Sequence, residues 1–121
     1  MGRRVLAIDD SSSVRKLVEY SLGSRGFQVS TASDGVEALE LLSRQSFDAI
    51  ILDINMPRLD GFKFLKMIKR KSAFSHIPVV MLTTEGQEED EERALQMGAF
   101  SYLVKPFRPS ELVRLIERIL S

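Results

Sequence analysis

Two periods of apolar residues alternate along this chain. Val5-Leu-Ala-Ile8, Asp48 to Asp53 with Ala49-Ile-Ile-Leu52 at its centre, and Pro78-Val-Val-Met-Leu82 are apolar runs with little polar interruption. They read as strands buried on both faces, the pattern of a parallel sheet. Shorter runs starting at Phe27-Gln-Val29 and spanning Ser101-Tyr-Leu-Val104 add two more strands. Between the strands the period changes to that of a helix: Val14, Leu17, Val18 and Leu22, then Val36, Leu39 and Leu42, then Phe62, Leu65 and Ile68, and last Leu112, Leu115, Ile116 and Ile119. Each set predicts one buried helical stripe. Ser11-Ser-Ser13, Asp34-Gly-Val-Glu37 and Asp60-Gly61 supply helix starts, and Gly23, Gly26 and Gly98 supply stops.

The fourth helix, from about Gln87 to Met97, stands apart. It opens with Gln-Glu-Glu-Asp-Glu-Glu-Arg and has no apolar residue until Ala94. Its first turns can bury almost nothing, so it is expected to be loosely held. The basic residues Lys63, Lys66, Lys69, Arg70 and Lys71 of the third helix are expected outward or at its C-terminus, where the helix dipole favours cations. Strand and helix alternate five times, which predicts an α/β fold: a doubly wound (βα)5 domain with a five-stranded parallel sheet covered on both sides. Residues 1–121 are expected to form one domain.

Charge and composition narrow the function classes. Lys plus Arg and Asp plus Glu each number 17, so no global field gathers nucleic acid or an anionic membrane, and direct contact with either is not expected. The chain has no cysteine, which excludes disulfide and thiolate-metal chemistry. The N-terminus reaches Asp9-Asp10 before an apolar signal core forms, and no segment approaches ~18 uninterrupted apolar residues. A cytoplasmic protein is expected.

The polar residues gain meaning from the topology. Parallel crossovers put every strand's carboxyl end on one edge of the sheet, where ligands of open α/β sheets bind. The first strand ends in Asp9-Asp10, the third in Asp53, the fourth in Thr83-Thr84 and the fifth in Lys105. A strand order of 2-1-3-4-5 sets strands one and three side by side with their aspartates converging. Three carboxylates within about 4 Å repel by roughly 4 kcal/mol per pair at an effective dielectric near 20, which a marginally stable domain must relieve. An all-oxygen site without nearby histidine or cysteine suits Mg²⁺. With Lys105 as cation and Thr83 as hydroxyl donor, the set has the parts needed to stabilise a transferring phosphoryl group, for which an aspartate can be the nucleophile.

Plainer roles exist for single residues. Asp53 alone is equally a turn residue before Pro57. One acceptor suffices to cap the first helix, which leaves the second aspartate of the Asp9-Asp10 pair unexplained. Thr83 or Lys105 alone would be structural, and only about 5–6% of X-Pro bonds such as Lys105-Pro106 are cis. His76 reads as a surface-loop residue, and Met56, Met67, Met81 and Met97 read as core filling.

Together, Asp9-Asp10, Asp53-Ile-Asn-Met-Pro57, Asp60-Gly61, Thr83 and Lys105-Pro106-Phe107 carry a resemblance over essentially the whole chain. The sequence resembles a response-regulator receiver domain of two-component signalling, and is similar to the single-domain chemotaxis type. The resemblance implies the flavodoxin-like order 2-1-3-4-5 and phosphorylation of Asp53 by the phosphohistidine of a sensor histidine kinase or phosphotransfer protein. It implies Mg²⁺ bound by Asp10, Asp53 and the Asn55 carbonyl, with Asp9 acting through water. Thr83 and Lys105 would hold phosphoryl oxygens, Thr83 and Tyr102 would form the switch, and Lys105-Pro106 would be cis. Asn55 and Glu85 would tune dephosphorylation. Thr84 departs from the smaller residue usual in the family and would narrow access to Asp53. A phosphoacceptor signalling domain, monomeric or weakly dimeric, is implied rather than an enzyme acting on a free substrate. Its downstream target would dock on helix four, strand five and helix five, with contributions from Arg93, Tyr102 and Arg108. The last helix ends near Ser121, which suits a stand-alone receiver and a segment of a longer regulator alike.

Two alternatives share part of this pattern. An FMN-binding flavodoxin-like module would use Ser11-Ser-Ser13 as a phosphate loop, yet Asp9-Asp10 would repel the phosphate and no tryptophan is present for flavin stacking. A Mg²⁺-dependent aspartyl-phosphate hydrolase of the haloacid dehalogenase type would need an Asp-x-Asp motif, whereas Asp53-Ile-Asn55 has an amide at the second position.

Overall fold

The computed structural model describes residues 2–56, 59–84 and 86–121. In chain order its main elements are β1 Arg4–Ile8, α1 Ser12–Gly23, β2 Gln28–Ala32, α2 Gly35–Arg44, β3 Ala49–Asp53, α3 Gly61–Arg70, β4 Val79–Thr84, α4 Glu88–Gln96, β5 Ser101–Lys105 and α5 Pro109–Ile119. The five strands form one parallel sheet in the expected order β2-β1-β3-β4-β5. One pairing was not foreseen: Asn55–Met56 and Leu59–Asp60 make a two-residue antiparallel ladder between β3 and α3.

Strand alternation divides the core into two layers. Leu6, Ile8, Ile50, Leu52, Val79 and Met81 point to one face, where α2, α3 and α4 pack through Ala38, Leu42, Phe62, Leu65, Ile68 and Ala94. Val5, Ala7, Ala49, Ile51, Val80 and Leu82 point to the other, against Val18 and Leu22 of α1 and Leu112, Leu115 and Ile116 of α5. The side chains of β3 are buried throughout, as expected for the central strand of a doubly covered sheet.

The helix starts follow the capping chemistry of their sequences. Ser11 Oγ accepts from Val14 N–H, Asp34 Oδ1 from Glu37 N–H at 2.8 Å, and Asp60 Oδ1 from Phe62 N–H at 2.9 Å. In α4 only Ala94 is buried, in line with its acidic opening.

One expectation fails locally. Val36 was expected in the buried stripe of α2 but is 75% exposed. The helix turns Ala38 and Leu42 inward instead, leaving Val36 on the rim of a groove with Leu39, Leu59, Phe64 and Met67. Lys69, expected outward or at the C-terminus of its helix, lies in the last turn of α3, where its Nζ donates to the carbonyls of Ser75 and Ile77, at 3.2 and 2.8 Å. It ties down the loop leading into β4, and burial lowers its pKa.

Candidate functional site

Strand register sets the geometry of the carboxyl edge. Ile8 pairs with Leu52 and Asp53 with Leu82, so Asp9 and Asp53 leave neighbouring strands at the same height. Thr84 pairs with Lys105 at the end of the β4–β5 ladder. By alternation, Asp9, Asp53 and Lys105 follow the α1/α5 face of their strands, whereas Thr83 and Tyr102 follow the α3/α4 face.

Asp9, Asp53 and Thr83 are only 1%, 3% and 1% exposed, while Asp10 is exposed. Lys105 Nζ lies 2.8 Å from Asp9 Oδ2 and 3.3 Å from Asp53 Oδ2. The Asn55 N–H donates to Asp53 Oδ1 at 3.2 Å, and the Ser11 N–H to Asp9 Oδ1 at 2.9 Å. Asp9, Asp10 and Asp53 each place one carboxylate oxygen within 4.8 Å of the other two.

One ammonium cannot neutralise three carboxylates. Burial, followed by the charge of Asp9, pushes the Asp53 carboxyl up to about 6, although Lys105 and the Asn55 N–H pull it down. Burial lowers the Lys105 ammonium, but the hydrogen bonds and charges of Asp9 and Asp53 outweigh it and the net shift is upward. Asp9 Oδ2 has only this ion pair, with no aligned hydrogen bond among the described residues. These features leave a negative, oxygen-lined site that fits a hard divalent cation.

The remaining residues of the expected site fall around this cluster. Among the described residues the buried Thr83 Oγ1 has no hydrogen-bond partner. Asn55, exposed, and Asp10 line one cleft of about 590 Å³ together with Met56, Asp60, Phe62 and Asp90. Thr84 is exposed at the end of β4. Glu85 and Pro57 lie outside the described residues. Lys105-Pro106 is cis. Tyr102 is half-buried, and the Glu91 charge, with a hydrogen bond from the phenol, raises its pKa. Arg93 extends from α4 over the Phe62 ring, 4.0 Å from its centroid.

Residues 5–117 match the family model of the response regulator receiver domain. The chain belongs to that family. As a receiver domain of two-component response regulators it is 41% identical over 120 residues to the phosphate regulon transcriptional regulatory protein PhoB of Klebsiella pneumoniae, covering 99% of this chain and 52% of that protein. It is 44% identical over 117 residues to the probable transcriptional regulator ycf27 of Guillardia theta, covering 97% of this chain and 45% of that protein. The receiver therefore spans about half the length of these curated relatives. The solved chemotaxis response regulator CheY4 of Vibrio cholerae is 42% identical, with a TM-score of 0.91 over 99% of this chain and all of that one. Membership selects the receiver reading over the flavin and hydrolase alternatives. Among the described residues no helix is long and apolar enough to cross a membrane.

The contacts of three neighbours of the site were not read from the sequence, which placed Phe62 only in a buried helical stripe and Arg93 only on the target-docking face. Phe62 lines the cleft, Arg93 covers Phe62, and Arg15 NH1 donates to the main-chain oxygen of Asp9 at 2.7 Å. The signal for Arg15 was present: residue four of a helix that starts at Ser12 carries its side chain back toward the N-terminus and the preceding strand end.

Proposed function

We propose that Asp53 accepts a phosphoryl group from the phosphohistidine of a sensor histidine kinase or phosphotransfer protein, and that residues 1–121 act as one phosphoacceptor domain. The observation that carries this reading is the pair of buried carboxylates, Asp9 and Asp53, sharing one ammonium with the exposed Asp10 beside them. In the transfer, a carboxylate oxygen of Asp53 forms a bond to phosphorus as the bond from phosphorus to imidazole nitrogen breaks. The electron pair leaves with the imidazole, and an acyl phosphate remains on Asp53.

Lys105 holds phosphoryl oxygens by charge, and Thr83 Oγ1, without another partner among the described residues, donates a hydrogen bond to one of them. Asp10, Asp53 and the Asn55 carbonyl would hold Mg²⁺, with Asp9 acting through water. When bound, the ion supplies charge neutralisation to the three carboxylates and the phosphoryl group. Asn55, Thr84 and Glu85 tune the lifetime of the acyl phosphate. Thr84, exposed at the mouth, lengthens it by crowding the attacking water, so Thr84→Ala should decay faster in a ³¹P NMR time course.

Output passes through the opposite face of the edge. Thr83 and Tyr102 lie on the same side of adjacent strands, with Met81 paired to Tyr102. Drawing Thr83 toward the phosphoryl group frees space for Tyr102 to leave Glu91 and turn inward. The weakly anchored α4 then shifts, and a protein target reads the surface of α4, β5 and α5, including Arg93, Tyr102 and Arg108. Coupling of about 1–3 kcal/mol gives roughly 5- to 150-fold in target affinity. The domain works as a monomer or weak dimer in the cytoplasm, without direct contact to nucleic acid.

The experiment is incubation with a small phosphodonor, with Mg²⁺ or with EDTA. One phosphoryl adduct that forms only with Mg²⁺ and is lost in hydroxylamine supports the reading. An adduct of equal yield in EDTA, or one stable to hydroxylamine, contradicts it.

A further inference from the structure

The peptide joining Asp9 to Asp10 lies just past the end of a ladder. The Asp9 N–H still donates to Ala32 O at 3.1 Å, but on the other side the β1–β3 pairing stops at Ile8 and Leu52. Among the described residues the Asp9 carbonyl therefore has no strand partner. Arg15 takes that place, with NH1 donating to Asp9 O at 2.7 Å. A carbonyl fixed in direction fixes the plane of its peptide, and this peptide sets the course of the Asp10 backbone and hence where its side chain departs.

The choice of partner is informative. Arg15 is half-buried and reaches the main chain of the acidic pair, yet among the described residues it forms no ion pair with a carboxylate. A guanidinium spent on a carboxylate would remove a ligand from a cation. Spent on a carbonyl, it leaves the Asp10 carboxylate available, and its planar fork holds direction better than an ammonium.

We infer that Arg15 is a positioning residue of the cation site, acting through the Asp9–Asp10 peptide to aim the Asp10 carboxylate. This inference rests on the Mg²⁺ reading of the site given above. Charge and position make opposite demands on a substitution. Removing a positive charge beside a cation site tightens cation binding by Coulomb's law. Removing a support that orients a ligand weakens it, by about 10- to 100-fold for a partner of the ligand itself and here by roughly 3- to 10-fold, because the main chain retains its other bonds.

The test is calorimetric titration of Mg²⁺ into the wild type, Arg15→Met and Arg15→Lys, with amide shifts of residues 9 to 11 recorded in each. The expected result is weaker binding in Arg15→Met, an intermediate affinity in Arg15→Lys, and shift changes centred on Asp10. The apparent KM for Mg²⁺ in phosphorylation should rise by the same factor, with excess Mg²⁺ recovering the rate. Unchanged or tighter binding in a folded Arg15→Met overturns the inference. If Arg15→Met does not fold, Arg15→Lys decides: it keeps the charge, so wild-type affinity overturns the inference and reduced affinity upholds it. A wild type that binds no Mg²⁺ refutes the metal-site reading itself, a distinct outcome.

Discussion

Asp53→Asn should stabilise the metal-free protein, and its effect should grow with pH. The substitution keeps the shape and the acceptor for the Asn55 N–H while removing a buried charge that Lys105 only partly neutralises. In the folded state the carboxyl rises from its ordinary 3.8 to about 6. Between these values the folded state binds more protons than the unfolded chain, so stability falls as pH rises through the window, the reverse of a salt-bridged carboxylate. The full shift corresponds to roughly 3 kcal/mol at neutral pH. Screening at the open edge of the cleft reduces this to about 1–2 kcal/mol. Urea unfolding of both proteins in EDTA from pH 4 to pH 8 measures the difference directly. The two should agree near pH 4, and the variant should be more stable by about 1–2 kcal/mol above pH 7. Mg²⁺ at 100 times its Kd adds about 2.7 kcal/mol to whichever protein binds it, so saturating ion should close or reverse the gap. A wild type more stable than Asp53→Asn in EDTA at pH 7.5, or a gap independent of pH, would refute the charge argument.

Three further outcomes follow from the same geometry. Asp10→Ala should weaken Mg²⁺ binding more than Asp9→Ala, and calorimetry giving wild-type affinity in both would remove the acidic pair from the site. Gly61→Ala should cost about 1–3 kcal/mol and weaken Mg²⁺ binding, because a Cβ there meets Asp53 O and Ile54 Cα at 2.7 Å and must push the end of β3 away from α3; wild-type urea midpoints and affinity would show that the two segments part freely. Thr83→Ala should still be phosphorylated but lose the response of residues 87 to 108, and equal NMR shift changes in variant and wild type would mean that the signal leaves by another route.

The fold was legible because periodicity and topology agree. Continuous apolar runs separated by helical stripes admit few arrangements other than a parallel sheet, and the convergence of Asp9, Asp53 and Lys105 follows once strand ends share an edge. The acidic opening of α4 was equally plain in the sequence. Val36 was misplaced because two residues of one helical stripe, 36 and 39, border a groove, and period alone cannot tell a groove from a core. The partners of Lys69 were not legible because the two carbonyls it satisfies belong to a loop whose path is set by tertiary packing. The contact of Arg93 with Phe62 was invisible for a related reason: it joins a long side chain to a ring on another element, and sequence spacing records only reach; for Arg15 that reach, back to the end of β1, was legible, but its partner, the Asp9 carbonyl, was not. The output of the domain was the least legible feature. Transcriptional regulators and a chemotaxis regulator match this receiver at nearly equal identity, 41–44% against 42%.

The most direct measurement of the central claim is the location of the phosphoryl group. After incubation with phosphodonor and Mg²⁺, borohydride reduction converts an aspartyl phosphate to homoserine, which peptide mass mapping then places in the chain. Homoserine at position 53, absent without Mg²⁺ and absent in Asp53→Asn, is the expected result. Modification at another residue of the wild type, or undiminished modification of Asp53→Asn, would contradict the account.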